Sequence, residues 1–160
     1  MSGIAVVDAS ALAALVFFEP NASVARDRLA NRQLVAPRLL AYELMNAALK
    51  KLRKHPDQSA LIRSGVSKAL SDDFTIFWSD VEPDEVLELA TQSRLTAYDA
   101  AYLWLARHLD AELVTFDTAL EAAARNLELR TENSKGRRLQ LKLETEKPKP
   151  KGRPGVRSPF

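Results

Sequence analysis

Four acidic residues lie where the chain leaves a predicted strand or enters a predicted helix: Asp8, Glu43, Asp99 and Asp117. Asp8 follows the apolar run Ile4–Val7, and Asp117 follows the run Leu113–Phe116. Ligands of open parallel sheets bind outside the carboxyl ends of the strands, so these two carboxylates share one rim if their strands are neighbours. Glu43 lies in the second turn of a helix that starts from the same rim. Asp99 lies in the first turn of the helix that Thr96 opens, where the helix dipole favours an acid.

Carboxylates that converge on one rim repel one another and raise one another's pKa. A bound divalent cation would relieve that repulsion, and an all-oxygen ligand set favours Mg²⁺ or Mn²⁺ over zinc or copper. Such an ion activates water, binds a phosphate oxygen and offsets charge in the transition state, with one or two ions compatible with the pattern. The four acids therefore predict metal-dependent hydrolysis of a phosphodiester.

Each acid also has a purely structural interpretation. Asp8 and Asp117 each precede a predicted helix, and Asp is a frequent N-cap residue. The spacing of Thr96 and Asp99 fits a capping box, with Asp in place of the usual Glu. Glu43 lies opposite the apolar stripe predicted for its helix, where charged residues are usually solvated. This stripe comprises Ala41, Leu44, Met45, Ala48, Leu49 and Leu52.

Other hydrolytic chemistries have little support in the sequence. The chain contains no Cys, which excludes disulfides, thiolate zinc sites and cysteine nucleophiles and fits a reducing cytoplasm. The two histidines, His55 and His108, fall in a helix-end segment and a helix body, so no Ser/His nucleophilic arrangement competes well.

Short apolar strands alternate with helices along the chain, which predicts an α/β fold in three layers, with a central parallel sheet of about five strands between helices. The strands are predicted at residues 4–7, 33–36, 74–78, 112–116 and 127–130. The helices are predicted at about residues 9–17, 23–30, 38–54, 57–70, 82–93, 96–109 and 117–125.

Charge divides the chain into an acidic body and a basic tail. Residues 1–132 hold 14 Lys and Arg against 19 Asp and Glu, whereas residues 133–160 hold 9 against 2. We therefore expect one nuclease-like domain over residues 1–132 and a basic, largely disordered tail over 133–160. No signal peptide and no apolar run long enough for a membrane span is visible, which predicts a cytoplasmic protein.

Four segments together resemble the PIN-domain ribonucleases, most closely the VapC-type toxins of bacterial toxin–antitoxin pairs. They are VVDASAL at 6–12, APRLLAYELMNA at 36–47, LTAYDAAYLWLA at 95–106 and LVTFD at 113–117. The likeness extends over about residues 3–130, in order and with spacing similar to that of the family. The basic tail is longer than this resemblance leads us to expect.

The resemblance implies a cytoplasmic endoribonuclease that requires Mg²⁺ or Mn²⁺, forms a homodimer and is held inactive by a cognate antitoxin protein. It assigns metal binding to the four acids and supporting hydroxyls to Ser10 and Thr115, bonded to a carboxylate or to metal-bound water. Basic residues are candidates for RNA contact, although a charged helix face or tail is often merely solvated. These candidates are Arg38, Lys50, Lys149, Lys151 and Arg153.

Two other functions remain open from the sequence. One is a non-catalytic RNA-binding or regulatory protein with a PIN fold, in which the acids serve structure. The other is an RNA-processing PIN nuclease without an antitoxin. Tyr102 and Trp104 lie in an apolar helix and are expected in the core, away from RNA bases.

Overall fold

Four buried strands form one parallel sheet in the computed structural model, which describes residues 3–71 and 75–131. The strands are β1 (Ile4–Val7), β2 (Gln33–Pro37), β3 (Ile76–Ser79) and β4 (Glu112–Val114). Their order is β3-β2-β1-β4, with Val6 opposite both Val35 and Leu113. The chain therefore crosses outward from β1 to β3 and returns to the other side of β1 for β4, which makes β1/β4 the topological switch point.

Seven α-helices connect and follow these strands in the described residues. They are α1 (Ala9–Val16), α2 (Ala22–Leu29), α3 (Leu39–Lys54), α4 (Ser59–Leu70), α5 (Pro83–Ser93), α6 (Ala97–Leu109) and α7 (Thr118–Thr131). A short 3₁₀ turn, Pro56–Gln58, separates α3 from α4 because Pro56 cannot continue the preceding helix.

The helices cover both faces of the sheet. Parallel strands are joined by right-handed crossovers, so α1 to α4 lie on one face while α5 and α6, on the return crossing, lie on the other. The packing agrees: α1 contacts α2, α3 and α4, whereas α6 contacts α5, α7 and the strands. The predicted α/β class with helices on both faces is confirmed.

The centre of the sheet is apolar on both faces. Val6, Val7, Val35 and Val114 are fully buried, as expected for a strand that helices cover above and below. Each fully buried Val contributes roughly 1.5–3 kcal/mol relative to an exposed one. The strand ends that carry the predicted acids are thus fixed by the most buried part of the molecule.

The predicted fifth strand, Leu127–Arg130, is wrong: these residues continue α7 to Thr131. Leu120, Ala123, Ala124 and Leu127 recur at helical spacing and pack against the core. No Gly or Pro occurs between Asp117 and Thr131, so the helix does not end at the predicted Arg125. The sheet therefore has four strands among the described residues.

The outer edge of β4 is covered by an arginine from α2. The amide of Asp8 donates to the carbonyl of Val114 at 3.0 Å, so the neighbouring carbonyl of Leu113 faces away from β1. Arg28 Nη2 donates to that outward carbonyl at 3.2 Å and to Glu112 Oε1 at 2.8 Å. Arg32 also pairs with Glu112. Although burial raises the pKa of Glu112, the hydrogen bonds from Arg28 and Arg32 hold it below its usual value.

The predicted apolar stripe of α3 is only partly buried. Leu44 and Ala48 face the core, whereas Met45 and Leu49 are each 43% exposed.

In the described part of the chain, no helix is both long and apolar enough to cross a membrane. The tail predicted over 133–160, with Lys149, Lys151 and Arg153, lies outside the described residues.

Candidate active site

Asp8 is a buried carboxylate at the switch point. It is only 6% exposed and lies directly after β1, between β1 and α1. One of its oxygens, Oδ2, accepts hydrogen bonds from Ser10 Oγ at 2.6 Å, Thr115 Oγ1 at 2.8 Å and the Ser10 amide at 3.3 Å. Among the described residues, every hydrogen bond to this side chain goes to Oδ2. No fully buried side-chain oxygen or nitrogen in this part of the chain lacks a partner, so Oδ1 retains some contact with solvent.

Ser10 and Thr115 join the loops after β1 and β4. Each hydroxyl donates its proton to Asp8 and accepts an amide proton from the segment after β4. Ser10 Oγ accepts from Phe116 N at 2.9 Å, and Thr115 Oγ1 accepts from Asp117 N at 3.0 Å. Thr115 is almost fully buried, which strengthens these bonds and makes their loss costly. The two hydroxyls thereby fix the orientation of Asp8 and the path of the chain to Asp117.

Glu43 comes to the same rim from α3 and is held by a tyrosine from α6. Tyr102, which has no exposed surface, donates its hydroxyl proton to Glu43 Oε2 at 2.5 Å. This bond joins helices that belong to opposite faces of the sheet. Glu43 is therefore a half-buried, oriented carboxylate and not one of the solvated residues of its helix.

The charges of the site act on Glu43. Burial raises the pKa of Glu43 above its ordinary value of 4.5, the hydrogen bond from Tyr102 opposes that rise, and the negative charges of Asp8 and Asp99 add to it. Burial, the bond to Glu43 and these same charges raise the pKa of Tyr102 far above its usual range. Tyr102 therefore stays a hydrogen-bond donor, and Asp8, Glu43 and Asp99 form one interacting acidic group.

Asp99 lies in the first turn of α6 and shares a capping box with Thr96. The Asp99 amide donates to Thr96 Oγ1 at 3.1 Å, and Thr96 Oγ1 donates to Asp99 Oδ2 at 2.8 Å. Thr96 and Asp99 therefore form the predicted capping box. It does not exclude a second role, because the carboxylate also raises the pKa of Glu43.

Asp117 is exposed and caps α7. Its Oδ1 accepts from the amide of Leu120 at 2.8 Å, and its own amide is bound to Thr115. Asp117 is thus linked to Asp8 through Thr115, although it is not among the charges that raise the pKa of Glu43. The predicted capping roles of Asp8 and Asp117 are both observed, since Asp8 accepts from the Ser10 amide at the start of α1.

The acids present fit a hard divalent cation in chemistry but do not form a complete cage. Within residues 3–71 and 75–131, no three Asp, Glu or His side chains lie close enough to hold a metal on their own. Mg²⁺ keeps several waters and is usually held by one or two carboxylates together with substrate phosphates. The second oxygen of Asp8, which has no partner among the described residues, and the repulsion on Glu43 suit such a partly protein-bound ion. Asp8, Glu43 and Asp99 would hold it together with water and substrate.

The two described RNA-contact candidates differ in position. Arg38 directly precedes α3 at the rim, where its Nε lies 3.4 Å from Asp80 Oδ1, just after β3. Lys50 is exposed on the distant half of α3, about 10 Å along the helix axis from Glu43. The fold therefore brings Arg38, but not Lys50, to the level of the acids.

Sequence reasoning missed the link between Tyr102 and Glu43. The prediction that Tyr102 and Trp104 lie in the core is confirmed, since Tyr102 is fully buried and Trp104 is 7% exposed. The usable signal was spacing: Tyr102 follows Asp99 by three residues, so both side chains lie on one face of α6. A buried Tyr needs a partner for its hydroxyl, and an acid at the rim supplies one.

Comparison with known proteins agrees with this arrangement. The family model for the PIN domain matches residues 5–126, which include all four acids. The crystal structure of PAE2754 from Pyrobaculum aerophilum is similar, with a TM-score of 0.54 and 28% sequence identity. That match covers 84% of this chain and 100% of the other. Among curated proteins, none matches this sequence.

Proposed function

The chain belongs to the PIN-domain family, whose members are generally nucleases, and from this premise we propose that it is a divalent-metal-dependent endoribonuclease. The observation that carries the proposal is the interacting group of Asp8, Glu43 and Asp99 at the switch point. A purely structural Glu at this place would gain nothing from a buried position beside two other acids. A cation that binds RNA phosphate would turn this repulsion into affinity.

The contacts of each side chain indicate its role in this proposal. Asp8, fixed through Oδ2, offers Oδ1 as a rigid ligand; Asp99 and Glu43 offer carboxylates from α6 and α3. Asp117 is the fourth acid, and its amide is hydrogen-bonded to the hydroxyl of Thr115. Ser10 and Thr115 orient Asp8, and Tyr102 orients Glu43. When bound, Mg²⁺ or Mn²⁺ would supply Lewis-acid stabilisation and a nucleophile at neutral pH.

We further propose the finer assignment that the sequence resemblance suggests, the toxin of a toxin–antitoxin pair. In that role the domain at 1–132 cleaves RNA in the cytoplasm, forms a homodimer and is silenced by an antitoxin protein. Lys149, Lys151 and Arg153 would attract RNA to a body that is acidic as a whole. The rival assignments are an RNA-processing nuclease without an antitoxin and a non-catalytic RNA-binding protein.

The test is cleavage of a mixed pool of tRNA, rRNA and mRNA by the purified full chain with Mg²⁺ or Mn²⁺. Parallel reactions contain EDTA or the Asp99→Asn variant, which keeps a side-chain oxygen for the bond from Thr96. A matched control is Asp110→Asn, an exposed acid at the opposite end of α6. We expect cleavage by the wild type and by Asp110→Asn only.

Equal inertness of the wild type and Asp99→Asn with every metal, while RNA still binds, would favour the non-catalytic protein. Cleavage that persists in EDTA would contradict a metal-dependent mechanism. Growth arrest on expression, relieved by the product of an adjacent gene, would separate the toxin from the RNA-processing enzyme.

A further inference from the structure

Two exposed tyrosines lie directly beside the acids. Tyr98 precedes Asp99 and is 66% exposed, and Tyr42 precedes Glu43 and is 69% exposed. Neither hydroxyl makes a hydrogen bond to any residue in the described parts of the chain. Both rings therefore expose a large apolar surface that no packing within the described domain explains.

The topology places both residues at the rim of the active site. α3 starts directly after the carboxyl end of β2, and Tyr42 lies in its first turn. α6 leads into the amino end of β4, so its own amino end, with Tyr98, lies at the same rim. Side chains on a helix lean toward its amino terminus, which directs both rings outward over the strand ends.

The spacing between Tyr98 and Tyr102 indicates which way Tyr98 faces. The two residues are four apart in α6 and therefore lie on the same face, one turn from each other. Since the hydroxyl of Tyr102 reaches Glu43, the face that carries Tyr98 is the one turned toward the acidic group. An RNA whose phosphate lies among Asp8, Glu43 and Asp99 would bring its bases to the level of Tyr98.

We propose that Tyr98, together with Tyr42, is a stacking platform for an unpaired RNA base next to the bond to be cut. The proposal rests on the proposed function and names a recognition element for its substrate. Phosphate contacts at this acidic rim depend on a bound cation, whereas stacking on an aromatic face needs no charge. Bases within a duplex are already stacked on each other, so the platform selects single-stranded RNA over duplex.

The test measures RNA binding separately from cleavage. The full chain carrying Asp8→Asn is titrated, with Mg²⁺ present, into an unpaired RNA of about 12 nucleotides that contains the fluorescent base 2-aminopurine, and into the matching duplex. In this background Tyr98→Ala is compared with Tyr98→Phe and with Phe18→Ala. Phe18 is a suitable control because it is 69% exposed but lies after α1, at the opposite end of the sheet.

We expect Tyr98→Ala to weaken binding of the unpaired RNA about 10- to 100-fold and to reduce quenching of 2-aminopurine, with duplex affinity unchanged. Tyr98→Phe and Phe18→Ala should bind as the parent does. Tyr42→Ala should give a smaller loss in the same direction. Thermal melting shows whether each variant is folded.

Unchanged affinity of Tyr98→Ala for the unpaired RNA would overturn the proposal. A change of oligomeric state in Tyr98→Ala without a change in RNA affinity would overturn it too, and would assign the ring to a protein interface. Failure of the wild type to cleave RNA contradicts the proposed function alone, because the binding assay does not depend on cleavage.

Discussion

The contact between Tyr102 and Glu43 joins the hydrophobic core to the candidate site. The ring of Tyr102 is fully buried, yet its hydroxyl reaches a carboxylate at the rim. Burial and two neighbouring acids make ionised Glu43 unfavourable in the folded state. Ionised Glu43 therefore lowers the stability of the folded chain.

Glu43→Gln should remove this cost while its amide oxygen still accepts from Tyr102. The pKa of Glu43 in the folded chain lies above its ordinary value of 4.5, so folding favours the protonated form. That favourable contribution is complete below pH 4.5 and is lost as the pH rises through the folded-state pKa. In EDTA, Glu43→Gln should melt at a higher temperature than the wild type at pH 7, and the difference should shrink toward pH 4.

The control for this melting series is Glu88→Gln, which changes an exposed glutamate of α5 and should show no comparable pH-dependent gain. A lower melting temperature of Glu43→Gln at pH 7 would mean that the carboxylate is stabilising, contrary to its surroundings. Saturating Mg²⁺ should stabilise the wild type more than Glu43→Gln. It should therefore reduce the difference between their melting temperatures at pH 7.

At the scale of elements, three of the candidate ligands also take part in helix capping. Asp8 and Asp117 each accept an amide proton at the start of a helix, and Asp99 pairs with Thr96, the N-cap residue of α6. Capping needs only a side-chain oxygen, whereas a cation needs the charge. Substitutions that keep the oxygen and remove the charge therefore separate the two roles.

Asp117→Asn should retain the cap of α7 and lose RNA cleavage, since Asn caps helices as well as Asp does. Asp117→Ala should lose cleavage and also about 1 kcal/mol of the free energy of unfolding. Urea denaturation of both variants measures the free energy of unfolding, and the RNA pool assay measures cleavage. Wild-type cleavage by Asp117→Asn would leave Asp117 as a cap alone.

The elements also show where sequence reasoning succeeds and where it fails. β1, β2 and β4 were predictable because short apolar runs bounded by polar residues admit few other structures. The segment 127–130 was not, since Leu127 and Leu129 satisfy a strand of period two locally. Only the longer series from Leu120 to Leu127 reveals the helical period. Likewise, the half-burial of Glu43 depends on α6, more than fifty residues later, and no local pattern contains it.

At the scale of the whole molecule, charge separates an acidic body from a basic tail. RNA is itself anionic, so the net charge of residues 1–132 opposes its approach while that of residues 133–160 favours it. If the tail holds phosphates, binding should weaken steeply with salt, because each contact releases counterions.

Replacing Lys149, Lys151 and Arg153 together by Gln should therefore reduce the slope of log affinity against log salt by about 2 for single-stranded RNA. The positions of cleavage in a given RNA should stay the same, since the tail is proposed to attract without reading sequence. Fluorescence anisotropy over a salt series measures the slope. An unchanged slope would leave the tail without a role in RNA binding.

The arginine that covers β4 bears on how this protein behaves at high concentration. An outward carbonyl on a terminal strand is a template on which the strand of another molecule can add itself, the first step of ordered aggregation. Arg28 occupies that position at Leu113, whereas Arg32 bonds only to the Glu112 carboxylate within residues 3–71 and 75–131. Arg28→Ala should therefore form larger species in sedimentation velocity runs while Arg32→Ala, with the same loss of charge, should not.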